Sequence, residues 1–231
     1  MKVREYLFHA YYHQFVTIEA DELTDKLKNR IEIHDDDCYA ICTAYCAEDG
    51  AVCFAVLSVG PSWDYCTKGL EKEDIYSVFT MEEVAECEMR ILDYDETIAR
   101  KGNAFLEKQE GDVEEDVLFL RTDERLDNLR DLVYPDIVYV GVIEGTEIVE
   151  YDMILTAIDG PFVKGHLIDK TSQHEEYETV MALPYEYAGG IRLLALFVGD
   201  TLSHQEETVL EKIREISSRY GITFSGVSIR S

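Results

Sequence analysis

The sequence predicts an α+β fold with two sheet-containing halves, residues 1–110 and 111–231. Two observations favour this class. The first half contains a β-hairpin signal followed by a stretch with helical periodicity, and the second half contains alternating apolar and polar runs that are typical of a β-meander. A sheet and a helix that are each apolar on one side bury those sides against one another. The acidic stretch 107–116 is the expected boundary between the halves.

A strand and a short helix are expected before the hairpin. Residues 5–19 are rich in aromatic and β-branched side chains, which favours a long strand. Asp21 opens an acidic first turn, so the sequence predicts a helix from Asp21 to about Arg30.

Two apolar runs, 38–46 and 51–59, predict the hairpin because they flank Asp49 and Gly50, a dipeptide typical of tight turns. Side chains alternate between the faces of a strand, so every second residue of the first run shares a face. That face carries small residues: Cys38, Ala40, Cys42, Ala44 and Cys46. We expect a helix to pack closely on it.

A long helix over residues 81–108 is the expected partner of this face. It begins with a capping box, since the Thr80 hydroxyl can accept from the backbone N–H of Glu83 while the Glu83 carboxylate reaches back. Apolar residues then recur every seven positions and predict one buried stripe: Val84, Ile91, Ile98 and Phe105.

The second half is expected to be mostly β-structure. The predicted elements, in chain order, are a short strand at 117–120, a short helix at 123–132, three meander strands at 137–143, 150–158 and 162–168, and a further strand at 179–183. A strand at 191–198, a helix at 204–219 and a strand at 222–229 follow and favour a right-handed parallel crossover. Gly221 suits the left-handed position after that helix.

The charge of the chain restricts its partners. It has 48 acidic and 21 basic residues among 231, a net charge of -27. Phosphate contacts need cations, so direct binding to nucleic acid or to anionic lipid is not expected. The 46% hydrophobic content, with 15 Tyr and 9 Phe, excludes a disordered acidic tail.

The six cysteines indicate a reducing compartment. Four of them cluster in the hairpin, and no signal sequence or membrane span is apparent, so we expect free thiols and a cytoplasmic location. Cys42 and Cys53 are expected to be small core residues, and an oxidation-sensitive pair across the hairpin is the alternative. Cys66 is expected in a polar loop, where nearby Lys68 favours its thiolate.

No common catalytic motif occurs, and no metal or cofactor is predicted. Glu5, His9 and His13 would form a metal-binding set on a helix, but on the expected strand four residues span about 13 Å. One hypothesis for the function is an acid–base or metal-assisted hydrolase that uses His174, His204 or nearby carboxylates; it is the alternative to the preferred hypothesis given below. An acidic housekeeping domain is the third possibility.

The preferred hypothesis is a non-catalytic protein that binds a basic protein, because strong negative charge on a folded scaffold attracts basic surfaces. An immunity protein that neutralises a nuclease toxin and a nucleic-acid-mimicking inhibitor both fit. Strand pairing places the two ends of the hairpin together, which defines the candidate site: Asp35, Asp36, Asp37, Trp63, Asp64 and Tyr65. The structural alternative is that Trp63 closes the end of the sheet and the Asp run is solvated.

The segment 130–136, RDLVYPD, is followed at 158–168 by IDGPFVKGHLI. These stretches resemble small β-rich modules of Gram-positive gut bacteria, in which a Tyr/Phe-Pro-Asp-Asp element precedes strands ending in Gly-x-Leu-Leu-Asn-x-Pro. Here Ile137 replaces the second Asp, and residues 168–171 replace the Leu-Asn-x-Pro part. The resemblance spans residues 126–200 and implies a β-module without an assigned activity.

Overall fold

The computed structural model of the chain describes residues 1–19, 37–70, 75, 77–111, 113–169, 174–199 and 206–225. The chain divides into two compact units. The first comprises Met1–Glu115 and Leu132–Pro135, and the second comprises Asp116–Asp131 and Asp136–Ser231. Each unit combines strands with helices, so the α+β class is confirmed. The domain boundary at residues 107–116 stays a prediction.

The first unit contains a five-stranded antiparallel sheet of order β4-β3-β2-β1-β5. Its strands are β1 (Phe15–Glu19), β2 (Tyr39–Cys46), β3 (Val52–Gly60), β4 (Ser77–Thr80) and β5 (Glu88–Ile91). The predicted hairpin is confirmed as β2 and β3, which pair from Tyr39 and Gly60 to Cys46 and Val52. Gly50 has a φ of 84°, a left-handed conformation that glycine adopts without strain in the turn.

The expected strand over residues 5–19 is wrong for its first ten residues. A 3₁₀-helix (Val3–Glu5) and a helical turn, α1 (Phe8–Tyr11), precede β1. Phe8, Tyr11 and Tyr12 are all buried, and this spacing suits one side of a helical turn better than alternate positions of a strand. The helix predicted from Asp21 lies outside the described residues.

The long helix predicted over 81–108 is also wrong, although its capping box at Thr80 and Glu83 is confirmed. The helix that the box begins, α3 (Met81–Val84), is one turn long, and β5 follows it. A second helix, α4 (Glu96–Glu110), then starts where the Asp95 side chain accepts the N–H groups of Thr97 and Ile98 at 2.9 and 3.0 Å.

Helix α4 packs on the hairpin, but on the opposite face from the one predicted. Ile98 of α4 packs with Ile41 and Leu57, and Phe105 packs with Tyr45. The small-residue face is covered differently. Phe54, which lies opposite Ala44 on that face, contacts Tyr11 of α1 at a ring-centroid distance of 5.8 Å. Large side chains from neighbouring segments therefore fill the space that the small residues leave.

The second unit contains a closed barrel of five strands in the order β10-β6-β7-β8-β9. They are β6 (Ile137–Glu144), β7 (Glu147–Asp159), β8 (Phe162–Leu167), β9 (Thr179–Tyr187) and β10 (Gly190–Val198). The predicted meander is confirmed, and β10 closes the barrel by pairing in parallel with β6. Leu126 and Leu129 of a 3₁₀-helix (Glu124–Leu129) pack against the core of the barrel.

Two expectations for the second half need correction, and a third is met in part. Residues 117–120 lie in a helix, α5 (Glu115–Arg121), rather than in a strand, and the helix predicted at 123–132 is the shorter 3₁₀-helix. Helix α6 (Glu206–Tyr220) forms and ends at Gly221, whose φ is 68°. Phe224 then pairs with Tyr185 of β9, antiparallel. Because β9 is itself antiparallel to β10, the described part of the last segment runs parallel to β10, the predicted direction, with β9 between them.

Candidate binding surface

A short helix, α2 (Trp63–Gly69), follows β3 and carries three of the six predicted site residues. Its inner side is fixed to the sheet by Cys66, which is fully buried. The Ser58 hydroxyl donates to the Cys66 carbonyl at 2.7 Å, and the Cys66 thiol lies 3.7 Å from the carbonyl oxygen of Tyr39. The sheet therefore determines the position of the outer side of α2.

The outer side of α2 presents two aromatic residues and a carboxylate. Trp63 is 40% exposed and Tyr65 is 49% exposed, and Asp64 between them is exposed as well. The Tyr65 ring lies over Gly60, where an added Cβ would come within 2.5 Å of Tyr65 Cδ1. Gly60 thus allows the ring to lie close to the end of β3.

Asp37 lies at the same end of the hairpin, because the Cys38 N–H donates to the Gly60 carbonyl at 3.2 Å. Its environment differs from that of Asp64, since Asp37 is only 5% exposed. Asp35 and Asp36 lie outside the described residues. The accessible described part of the predicted site is therefore Trp63, Asp64 and Tyr65, and their role in binding stays a prediction.

A second exposed aromatic residue of this kind was missed by the sequence reasoning. Tyr94 is 80% exposed and stands between the exposed carboxylates of Asp93 and Asp95. The flanking residues Leu92 and Ile98 pack in the same apolar cluster as Cys66 of α2. The sequence motif Asp-Tyr-Asp was visible, but the predicted long helix concealed its position in a loop.

Two exposed patches of the first unit are together called the acidic aromatic surface: Trp63, Asp64 and Tyr65 on α2, and Asp93, Tyr94 and Asp95 in the loop before α4. Such a surface offers the two things a basic protein needs, carboxylates for its cations and aromatic rings for packing. The carboxylates lie on elements that are held in place by buried neighbours. The surface therefore needs little ordering upon binding.

Five of the six cysteines are buried, and Cys38 is partly exposed. Burial, reinforced by the charge of Asp37, raises the pKa of the Cys66 thiol to about 12. The expected thiolate beside Lys68 is therefore wrong, because Cys66 lies on the buried side of helix α2 rather than in a polar loop. Cys42 and Cys53 point to opposite faces of the hairpin, since Cys42 lies opposite Val56 and Cys53 lies opposite Tyr45. Cys42 and Cys53 therefore cannot form an oxidation-sensitive pair. None of the six cysteines, all of which lie in the described ranges, is joined in a disulfide.

The histidine candidates do not come together. His9 lies in α1, and His13 contacts the buried carboxylate of Glu110, which also accepts the Cys46 N–H at 2.7 Å. His174 Nδ1 lies 2.9 Å from Glu178 Oε2, and His204 is outside the described residues. Within the described ranges, no group of three or more His, Cys, Asp or Glu side chains is arranged to hold a metal ion.

In comparisons with known proteins, no family model, no curated protein and no solved structure matches this chain. The resemblance of residues 126–200 to β-rich bacterial modules therefore gains no support and assigns no residue a role. Among the described helices, none combines the length and the apolar character that crossing a bilayer requires.

Proposed function

We propose that this chain is a non-catalytic binding protein whose partner is a basic protein. The net charge of -27 on a chain that folds into two compact units is the observation that carries the proposal. A protein with this charge attracts basic surfaces over several ångströms of solvent and repels other acidic proteins. The partner is expected in the same compartment, which we propose to be the cytoplasm.

The acidic aromatic surface is the proposed contact. Its carboxylates steer the partner during encounter, and Trp63, Tyr65 and Tyr94 supply the apolar and cation–π contacts that slow dissociation. Trp and Tyr are the residue types most enriched among the side chains that dominate binding free energies. Asp64 lies between Trp63 and Tyr65 in the chain, so a partner that covers the first turn of α2 meets both a carboxylate and aromatic rings.

Nucleic-acid-binding proteins are the most natural class of basic partner, because their surfaces already accept dense negative charge. An immunity protein against a nuclease toxin and an inhibitor that mimics DNA both use this complementarity. The two differ in whether they must compete with nucleic acid for the same site on the partner. A DNA mimic occupies the site of the nucleic acid, whereas an immunity protein can also bind beside it.

Affinity capture from a lysate of the source organism tests the proposal. The immobilised chain is washed at low salt and then at about 0.5 M salt, where exposed charges further apart than a few ångströms are screened. The proposal expects a basic protein that elutes in the second wash and that binds the chain again after purification. If duplex DNA then fails to displace the chain from the purified partner, the DNA-mimic variant is excluded and the immunity-protein variant is retained. Failure of any purified basic protein to rebind at low salt would contradict the proposal.

Matched substitutions test the surface with the purified partner. Trp63→Ala is expected to raise the dissociation rate constant about tenfold or more, whereas Phe119→Ala, a substitution of another exposed aromatic residue, leaves it unchanged. Asp64→Asn is expected to slow association more than Glu211→Gln, which removes the same charge from α6. Equal effects within each pair would exclude this surface as the contact, but would not contradict the proposal that the chain binds a basic protein.

A further inference from the structure

A cleft of about 350 Å³ opens at one end of the barrel in the second unit. Strands β6 and β10 run parallel there but are paired only at Leu193 with Val140 and at Leu194 with Gly141. Both strands continue beyond this ladder, and the residues that follow it line the cleft on both sides. A register shift in the pairing of β10 with β9, between Ala195 and Phe197, occurs in the same stretch. The cleft therefore results from the divergence of two neighbouring strands.

The floor of the cleft is apolar. Val142 and Ala195, which belong to the core of the barrel, and Leu196, which packs beneath α6, are all buried. Ile216 of α6 is 2% exposed and lines one wall. An apolar body of a ligand that entered the cleft would contact side chains already shielded from water.

The rim of the cleft carries basic groups, which is unusual in a chain with a net charge of -27. Lys212 and Arg219 of α6 line it together with His174. One carboxylate, Glu215, also lines it and lies 3.4 Å from Lys212 Nζ. Lys212 thus has Glu215 beside it, and His174 has the carboxylate of Glu178 at 2.9 Å. Arg219 is the lining cation that lies next to an aromatic ring, Tyr220, above the apolar floor.

The position of Arg219 is linked to a fixed neighbour. Its guanidinium carbon lies 5.4 Å from the centroid of the Tyr220 ring. The Tyr220 hydroxyl in turn donates to the Gly145 carbonyl at 3.1 Å, which ties the end of α6 to the turn between β6 and β7. A guanidinium presents five N–H donors in a plane and suits a carboxylate better than any other side chain.

We propose that this cleft binds a small organic carboxylate with an apolar body. The body occupies the floor formed by Val142, Ala195 and Leu196, and the carboxylate pairs with Arg219. The volume lies within the range of pockets that hold small molecules, about 300 to 1,000 Å³. Repulsion by the remaining acidic residues is limited at physiological salt, because the Debye length there is about 8 Å. The proposal is independent of the basic partner, since it rests on residues of the second unit alone.

Titration of the full chain with octanoate, followed by ¹H–¹⁵N NMR, tests this inference, and octan-1-ol serves as the uncharged probe of the same shape. Octanoate is expected to shift the amide signals of β10 and α6 and to bind more tightly than octan-1-ol. Arg219→Gln should weaken octanoate binding about tenfold, whereas Arg214→Gln, which removes the same charge from the same helix, should not. Glu215→Gln should strengthen it.

Three results would overturn the inference. The first is the absence of saturable octanoate shifts in β10 and α6. The second is equal affinity for octanoate and octan-1-ol, which would make the cleft a site for neutral apolar molecules. The third is equal weakening by Arg219→Gln and Arg214→Gln, which would mean that net charge and not the rim of the cleft determines binding.

Discussion

Replacing Gly102 in α4 by alanine should destabilise the first unit, although helix propensity predicts the reverse. Alanine stabilises the interior of a helix by about 1 kcal/mol relative to glycine. At Gly102, however, an added Cβ would lie 2.1 Å from Cε1 of Phe15, which packs from β1 onto the helix. Forcing a methyl group into a filled site costs about 1 to 3 kcal/mol. We therefore expect a net loss of about 1 kcal/mol in the free energy of unfolding.

Urea unfolding followed by Trp63 fluorescence measures this change, because the only Trp of the chain reports on the first unit. Asn103→Ala, at the exposed neighbouring position, is the control and should gain stability from propensity alone. Adding Phe15→Leu to Gly102→Ala should recover part of the loss by making room for the methyl group. If Gly102→Ala stabilises the unit as much as Asn103→Ala does, the packing of Phe15 on α4 is refuted.

Burial of three other groups has measurable consequences. The pKa of the Cys66 thiol is raised to about 12, so at pH 8 iodoacetamide should modify Cys66 only after the chain unfolds. Mass spectrometry measures this modification. If Cys66 of the native chain is modified as fast as in the unfolded chain, its burial is contradicted. Burial, with nearby negative charges, raises the pKa of Tyr45 from 10.0 to about 12. The folded state then holds this proton more tightly than the unfolded state, and stability should fall between about pH 10 and pH 12. Tyr45→Phe should reduce that fall in urea midpoints measured across the same pH range, and an unchanged pH dependence would exclude Tyr45 as its source. The Arg121 side chain is 7% exposed and pairs with Asp136 at 2.6 Å. Asp136→Ala should therefore lower the free energy of unfolding of the second unit by about 3 kcal/mol, as measured by hydrogen exchange of the barrel amides. Asp159→Ala breaks an ion pair whose carboxylate is 69% exposed and should cost less than about 1 kcal/mol; equal losses would contradict the difference in burial.

The turns of this fold were predictable because glycine marks backbone that other residues avoid. Gly50, Gly145 and Gly160 all have positive φ values. Gly50 lies in the predicted hairpin turn, and Gly145 and Gly160 lie between the predicted meander strands. Periodicity wrongly predicted one long helix over residues 81–108, because a seven-residue apolar repeat does not require one continuous element. Its members fall in three elements, and the Asp95 cap that starts α4 was the overlooked signal.

The sequence predicted where Asp37 lies relative to the end of the hairpin, but it did not predict which residues near the candidate site are buried and which are exposed. Pairing of Tyr39 with Gly60 brings Asp37 near the end of β3, as antiparallel geometry requires. The burial of Asp37 depends on contacts between segments far apart in the chain, which no local pattern encodes. The exposure of Tyr94 depends in the same way on where β5 ends and α4 begins.

The association rate constant of the chain with its purified basic partner, measured by stopped flow against ionic strength, tests the proposed function most directly. The Debye length falls from about 30 Å at 0.01 M salt to about 3 Å at 1 M. If the net charge of -27 steers encounter, the association rate constant should fall at least about tenfold over this range while the dissociation rate constant changes much less. An association rate constant that stays the same from low to high salt would contradict the proposal that negative charge recruits the partner.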